Sequence, residues 1–181
     1  MCRRDRALAT ACKRRDLESV SSIWASISPP RRGRDAEAYA AEPYVLPGNV
    51  DGPLSTSPGR AGWTWYTGSA AWLNRVSLEW ILGIRPTWEG LLIDPCPMPE
   101  LGEVDATRTW RGRRVRVRFD AASFDPSLRA TVTLDGRPVE GAVITEPMIP
   151  EGSDADIRVT WAAPGAGTPQ VMTRTTQRSK P

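Results

Sequence analysis

The sequence predicts an α+β protein, with helices in its first half and β-strands in its second. In residues 7–27 and 67–83, apolar residues recur at three- and four-residue steps, the spacing of helices that bury one face. From about residue 104, apolar and polar residues alternate, which is typical of half-buried strands. The chain has 181 residues, of which 40% are apolar, and this is enough for a packed core.

The first predicted helical region spans residues 7–27. Asp16 is expected to cap its second part, and Pro29-Pro30 ends it, because proline lacks an N–H group and disfavours helical backbone in the preceding residue. The apolar stripe of this second part consists of Leu17, Val20, Ile23, Trp24 and Ile27. We interpret the region as an ordinary core-facing helix.

The second predicted helix spans residues 67–83 and follows a stretch rich in tryptophan. Thr67 is its expected N-cap, and Gly83 is its expected end. The N–H groups that follow Thr67 have no acceptor inside the helix, so they can also face an anion. Composition alone favours a simple cap, because caps are far commoner than anion sites.

The second half of the chain reads as a series of short strands. The apolar run Leu91-Leu92-Ile93 is predicted to be a buried strand. The other strands are expected in residues 104–110, 113–119, 130–134, 137–139 and 157–161, with turns at Arg111-Gly112 and Asp135-Gly136.

The net charge is +3, and arginine supplies nearly all of the positive charge. The densest cluster is Arg111, Arg113, Arg114, Arg116 and Arg118. These residues alternate with valines, so we interpret them as one solvated strand face and expect no nucleic-acid partner. Glu79 is expected to be solvated or paired with Arg75 on the same helix.

The cysteine and histidine content limits the possible chemistry. Cys2, Cys12 and Cys96 are widely spaced, so they form neither a disulfide framework nor a CxxC metal motif. The chain has no histidine, which excludes Ser-His or Cys-His nucleophiles and His-ligated metals within it. We expect no metal and no cofactor.

No apolar run approaches the length of a membrane span, and no signal-peptide pattern follows the basic residues at the start. We therefore expect a cytoplasmic chain without membrane contact.

Four sequence blocks occur in a fixed order. They are Glu42-Pro43-Tyr44-Val45, residues 62–70 (GWTWYTGSA), residues 80–85 (WILGIR) and residues 90–96 (GLLIDPC). This series resembles the carboxyl-terminal part of glycoside hydrolase family 94, which holds inverting phosphorylases of cellobiose and related disaccharides and a domain of cyclic β-1,2-glucan synthases. The resemblance runs from about residue 7 to residue 161.

The resemblance implies a division of the chain. Residues 1–83 would be the last helices and a loop of an (α/α)6 catalytic barrel, and residues 84–163 a carboxyl-terminal antiparallel β-sandwich domain. Residues 164–181 lack hydrophobic periodicity, so we expect them to be a disordered tail.

The resemblance also implies a site. Family members hold phosphate partly with a Thr-Gly pair at a helix start, which matches Thr67 and Gly68. The implied sugar-binding residues are Glu42 and Asn49. Asn49, or Gly48 without a one-residue shift, stands where family members have a glutamine, which leaves the sugar specificity open. Glu42 has an equally good structural interpretation, in which it holds its loop by hydrogen bonds.

The implied reaction is phosphorolysis of a β-glucoside to glucose 1-phosphate with inversion. The family's general acid, phosphate-binding arginine and phosphate-binding histidine all precede the matching region. We therefore expect a fragment that carries no catalytic residue, is inactive alone, and needs the amino-terminal part of the barrel as its partner. Its substrates would be inorganic phosphate and a β-glucoside or oligosaccharide.

Two alternatives remain open: a non-catalytic carbohydrate-binding or interaction module that uses the Trp-rich loop as a stacking surface, and a product of a truncated reading frame without function. In any of these cases, we expect Trp24, Ile27, Trp72 and Trp80 to lack covering partners and to promote self-association.

Overall fold

The computed structural model describes residues 3–161, with side chains from residue 6 onward. The helices are α1 (Arg3–Arg14), α2 (Leu17–Ile27), α3 (Pro29–Arg32), α4 (Ala36–Tyr39) and α5 (Thr67–Val76), and a π-helical segment (Ser77–Ile81) continues α5. The strands are β1 (Asn49–Val50), β2 (Ala61–Gly62), β3 (Ile84–Pro86), β4 (Leu91–Ile93), β5 (Glu103–Trp110), β6 (Arg113–Asp120), β7 (Ala130–Leu134), β8 (Arg137–Pro138), β9 (Val143–Ile144) and β10 (Asp154–Trp161). The α+β class is confirmed, whereas the expected tail at residues 164–181 lies outside the described residues.

The first predicted helical region consists of two helices rather than one. Arg15, with a φ of 56°, turns the chain between α1 and α2. Asp16 caps α2 as predicted, because its carboxylate accepts a hydrogen bond from the Ser19 N–H at 3.0 Å. Pro29 begins α3 at its first position, where the missing N–H costs nothing.

The second predicted helix begins at the predicted residue, but its cap was assigned wrongly. Tyr66 is the N-cap, with φ −79° and ψ 83°, and no side chain caps the helix. The reason is tertiary: the Tyr66 N–H donates to the Leu46 carbonyl at 3.3 Å, which holds Tyr66 outside the helix. Thr67 is therefore the first helical residue and not the cap.

Three sheets contain the strands. The largest has the order β5-β6-β10-β7-β8, a second has the order β3-β4-β9, and β1 pairs with β2. The predicted hairpin turns are confirmed, since Arg111, Gly112, Asp135 and Gly136 all have positive φ values of 47° to 79°.

The expectation of an entirely antiparallel sheet is wrong at one pair, because β10 runs parallel to β6. β10 reaches β6 through residues 121–153 instead of a tight turn, and only such a crossover allows parallel pairing. The assignments of a barrel remnant and a β-sandwich stay predictions.

The arginine cluster is not entirely on a solvated face. Arg113 points inward with Val115 and Val117, because side chains on one face of a strand recur every second residue. Its guanidinium is buried and donates to the Ile149 carbonyl at 2.6 Å and to the Arg111 carbonyl at 2.7 Å. On the outer face, Arg116 pairs with Asp105 and Arg118 pairs with Asp156.

One buried cluster joins the helices to both larger sheets, so the core extends across residue 83. Its fully buried members include Leu8 of α1, Val20 of α2, Ile84 of β3, Ile93 of β4, Val117 of β6 and Ile157 of β10. Ile27, expected to lack cover, is buried, so that expectation is wrong, and Trp24, Trp72 and Trp80 are half-buried.

Within residues 3–161, no helix is long and apolar enough to cross a membrane.

Candidate functional site

Two chain segments meet at the start of α5. The Gly48 N–H lies 3.1 Å from the Gly62 carbonyl and 3.0 Å from the Trp63 carbonyl, and β1 pairs Asn49 with Gly62. The bond from the Tyr66 N–H to the Leu46 carbonyl continues this pairing to the residue before Thr67. The loop that carries the two predicted sugar-binding residues therefore lies beside the predicted phosphate-binding residues.

The loop rests on a buried tyrosine that sequence reasoning missed. Tyr39, at the end of α4, is only 1% exposed, and its hydroxyl donates to the Val45 carbonyl at 3.2 Å. Gly33 also supports the loop, because a Cβ at this position would lie 2.5 Å from the Pro43 Cβ. The sequence contains one indication of the helix that carries Tyr39: Asp35 caps α4, and its carboxylate accepts a hydrogen bond from the Ala38 N–H at 3.0 Å.

Glu42 is half-buried and engaged with the aromatic stretch. Its Oε1 atom accepts a hydrogen bond from the Trp65 indole Nε1 at 3.2 Å. The Trp65 ring in turn meets Tyr44 edge-on, with 6.2 Å between the ring centroids. These contacts correspond to the structural interpretation of Glu42, in which it fixes the loop and one indole ring.

Asn49 is exposed at the start of β1. Its Nδ2 atom donates to Asp51 at 3.3 Å, and its amide covers Gly62 so closely that a Cβ there would lie 2.6 Å from Oδ1. Asp51 is the centre of this turn, since it also accepts from the Ser55 hydroxyl at 3.0 Å. The Asn49 side chain thus faces outward with a defined orientation.

Thr67 and Gly68 are both exposed in the first turn of α5. The first N–H groups of any α-helix lack acceptors inside the helix. In α5, no side chain caps them either. Around Gly68, nothing lies within 4 Å of the position that a Cβ would occupy, so the backbone is open to close approach. Free N–H groups, the positive end of the helix dipole and a hydroxyl together suit an anion.

Four exposed aromatic residues surround this point: Tyr44 (71% exposed), Trp63 (81%), Trp65 (63%) and Tyr66 (52%). We call these residues the aromatic platform. Trp63 and Trp65 have φ values of 57° and 60°, which are unfavourable for side chains of this size. Such strain costs about 1–3 kcal/mol per residue and tends to occur at functional sites.

Glu79 was expected to be solvated or paired, and the structure confirms the pairing and contradicts the solvation. Glu79 is only 8% exposed. Its Oε2 atom lies 3.1 Å from Arg75 Nε, and its Oε1 atom lies 3.7 Å from Arg108 Nη2. Arg108 also donates to the Ile84 carbonyl at 2.7 Å, so this carboxylate joins the π-helical segment to β5. Within residues 3–161, no group of three or more His, Cys, Asp or Glu residues could hold a metal ion.

Comparison with known proteins supports the resemblance to this family. Residues 18–83 match the model of the glycosyl hydrolase 94 superfamily, catalytic domain, and all four predicted site residues lie within this match. Residues 18–83 resemble part of a glycosyl hydrolase 94 catalytic domain. The family that the sequence blocks indicate is thus confirmed.

Curated relatives agree with this family. The chain is 38% identical over 112 residues to the cyclic beta-(1,2)-glucan synthase NdvB of Rhizobium meliloti (strain 1021), which is 61% of this chain and 4% of that protein. It is 28% identical over 142 residues to the N,N'-diacetylchitobiose phosphorylase of Vibrio proteolyticus, 78% of this chain and 17% of the relative. A solabiose phosphorylase of Paenibacillus borealis is 24% identical over 120 residues, 66% of this chain and 16% of the relative. The chain therefore spans a small part of the length of these relatives.

Proposed function

We propose that this chain supplies part of the phosphate site of an inverting glycoside phosphorylase, which cleaves a β-glucoside with inorganic phosphate and releases glucose 1-phosphate. The observation that carries the proposal is the uncapped, exposed start of α5, where Thr67 and Gly68 stand open to solvent. This helix start lies within the region that matches the family's catalytic domain.

The chemistry requires phosphate to be held against the anomeric carbon while a general acid protonates the glycosidic oxygen on the opposite face. The Thr67 hydroxyl and the N–H groups at the start of α5 would neutralise part of the phosphate charge without introducing a fixed cation. Glu42 and Asn49 would border the sugar, because their loop is hydrogen-bonded to the residues just before Thr67.

The proposal includes a requirement for a partner segment. The general acid and the remaining phosphate ligands would come from the amino-terminal part of an (α/α)6 barrel, and the chain alone would not turn over. A general acid typically contributes a factor of about 10²–10⁴ in rate, and the chain alone would lack both this group and the remaining phosphate ligands.

The test measures glucose 1-phosphate after incubation of the purified chain with phosphate and cellobiose, laminaribiose or a β-1,2-glucan. We expect no release above a control without protein. A reconstituted barrel, in which the chain is joined to the amino-terminal part of a family phosphorylase, should release glucose 1-phosphate. Release by the chain alone would contradict the partner requirement, and an inactive but folded reconstituted barrel would contradict the proposed function.

The aromatic platform favours a second candidate, a non-catalytic carbohydrate-binding module. Exposed indole faces of this kind stack on sugar rings, and Glu42 holds the Trp65 ring in place. Titration of tryptophan fluorescence with β-glucan oligosaccharides in the absence of phosphate tests this candidate. Binding that Trp65→Ala abolishes and Trp88→Ala preserves would support it, because Trp88 is 98% exposed but lies outside the platform.

A further inference from the structure

Glu42 and Trp65 are joined side chain to side chain within the candidate site. The Trp65 indole Nε1 atom donates to the Glu42 Oε1 atom at 3.2 Å, although 23 positions separate the two residues in sequence. Trp65 is nevertheless 63% exposed. The bond therefore fixes the polar edge of the indole and leaves much of its apolar surface open to solvent.

The strained backbone of Trp65 depends on restraints of this kind. Its φ of 60° lies in the left-handed region, and such a residue persists only where its surroundings hold it in place. The Tyr66 N–H donates to the Leu46 carbonyl at 3.3 Å and restrains the backbone next to Trp65. Because the bond to Glu42 is the hydrogen bond that restrains the side chain, we expect the orientation of the ring to depend on Glu42.

The Glu42 carboxylate has acceptor sites and charge to spare. A carboxylate offers about four lone-pair sites on its two oxygens, and the indole uses one of them. Glu42 is half-buried, so the other sites are partly open. Among the side chains described, those of residues 6–161, no arginine or lysine forms an ion pair with Glu42. An open acceptor with a negative charge thus lies beside an exposed indole ring.

We propose that Glu42 and Trp65 select neutral pyranose rings and exclude uronic acids. The C–H faces of a pyranose stack on an indole, and its hydroxyl groups can donate to the free sites of the carboxylate. A uronic acid has the same ring, but its own carboxylate would stand close to Glu42, where two negative charges repel each other. The proposal rests on the proposed function for the presence of a sugar at this loop, and it makes Glu42 a specificity-determining residue.

Two substitutions separate the two roles of Glu42. Glu42→Gln retains an oxygen that accepts from the indole but removes the charge, so the affinity for a neutral sugar should stay within about threefold while the exclusion of uronic acids is lost. Glu42→Ala removes the acceptor and the charge together. It should lower the affinity for the neutral sugar about tenfold, since it removes a hydrogen bond from the sugar and the restraint on the ring.

The experiment measures binding to the full chain without phosphate, by titration of tryptophan fluorescence. The two ligands are cellotetraose and the β-1,4-linked tetramer of glucuronic acid, which share ring and linkage and differ in charge. We expect cellotetraose to bind at least about tenfold more tightly at low ionic strength. In about 1 M NaCl this preference should shrink, because salt at that concentration screens charges beyond about 3 Å.

The variants give the decisive comparison. Glu42→Gln should reduce the preference for cellotetraose to less than about threefold, whereas Trp88→Ala, at a residue 98% exposed outside the platform, should leave both affinities unchanged. A chain that binds neither ligand, binds both equally, or keeps its preference as Glu42→Gln would overturn the proposal. The comparison of two ligands at two salt concentrations uses the unmodified chain, so it holds even if Glu42→Ala fails to fold.

Failure of this proposal differs from failure of the proposed function, because binding is measured in the absence of phosphate. A chain that selects cellotetraose but yields an inactive, folded reconstituted barrel would contradict phosphorolysis and leave the selection of neutral sugars intact. A reconstituted barrel that releases glucose 1-phosphate while the chain binds both tetramers equally would overturn the selection alone.

Discussion

Glu79 links the helices to the largest sheet through ion pairs with Arg75 and Arg108. Its carboxylate is buried between two arginines of unequal exposure: the Arg75 side chain is 60% exposed and the Arg108 side chain is 23% exposed. A buried carboxylate that loses its buried partner keeps its desolvation cost without compensation. The two arginines therefore differ in their importance, although both pair with Glu79.

We predict that Arg108→Ala lowers the free energy of unfolding by about 2–4 kcal/mol, because it leaves Glu79 underpaired and removes the donor to the Ile84 carbonyl. Arg75→Ala is the matched control and should cost less than about 1 kcal/mol, as exposed pairs do. Urea unfolding of both variants, followed by circular dichroism, measures the difference. Equal losses would show that Arg108 acts only as a surface partner.

Residue-level prediction from the sequence succeeded where the decisive contacts are local. Asp16 caps α2 through a bond to a residue three positions later, and Arg75 reaches Glu79 across one helical turn. It failed where contacts between distant segments determine the local structure. The Tyr66 N–H donates to the Leu46 carbonyl, which makes Tyr66 the N-cap, and the buried Arg113 donates to the Ile149 carbonyl.

At the scale of elements, Gly83 controls how closely the π-helical segment approaches the chain after β4. Its φ is 66°, and a Cβ at this position would lie 2.2 Å from the backbone carbon of Asp94. Gly136 has a similar φ of 79°, but no atom lies within 4 Å of its Cβ position. Comparing alanine substitutions at Gly83 and Gly136 therefore separates the cost of a left-handed backbone from the cost of a steric clash.

We predict that Gly136→Ala lowers the free energy of unfolding by about 1–2 kcal/mol, the cost of a left-handed conformation for a residue with a side chain. Gly83→Ala should cost at least about 2 kcal/mol more, because the clash is with backbone that cannot move aside without breaking β4. Thermal and urea unfolding provide both values. Equal losses at the two glycines would mean that the segments can separate at little cost.

The strands were the most predictable elements, because alternation and turn dipeptides are encoded in adjacent residues. The buried strand Leu91–Ile93 and both hairpins are present as expected. The parallel pairing of β6 with β10 was not predictable in this way, since the pairing partner of a strand depends on a connection of more than thirty residues. The π-helical segment also has no clear local signal.

On the scale of the whole molecule, exposed apolar surface is concentrated on the aromatic platform and not on the helix faces where the sequence placed it. On the helix faces, Ile27 is buried, and Trp24 and Trp80 are half-buried and pack against the same core that reaches the sheets. Because exposed apolar patches promote association, the platform is the expected contact surface.

We predict concentration-dependent self-association at micromolar concentration, which Trp63→Ser should weaken. Trp88→Ser is the matched control, because Trp88 is 98% exposed but separate from the platform, and it should leave association unchanged. Sedimentation velocity over a range of concentrations measures the effect. A monomer at all concentrations, or an equal effect of both substitutions, would contradict this prediction.

The central claim is that the start of α5 holds phosphate, and the measurement that tests it most directly is kcat/KM for phosphate in the reconstituted barrel with Thr67→Ala. A hydrogen bond to a charged group is worth roughly 1.5–3 kcal/mol, so we expect a loss of about ten- to hundredfold, while Thr67→Ser retains most of the activity. Because Thr67 is not the N-cap, the free energy of unfolding should change by less than about 0.5 kcal/mol, and KM for the sugar should barely change. An unchanged kcat/KM for phosphate in a folded Thr67→Ala variant would contradict the claim and place the anion elsewhere.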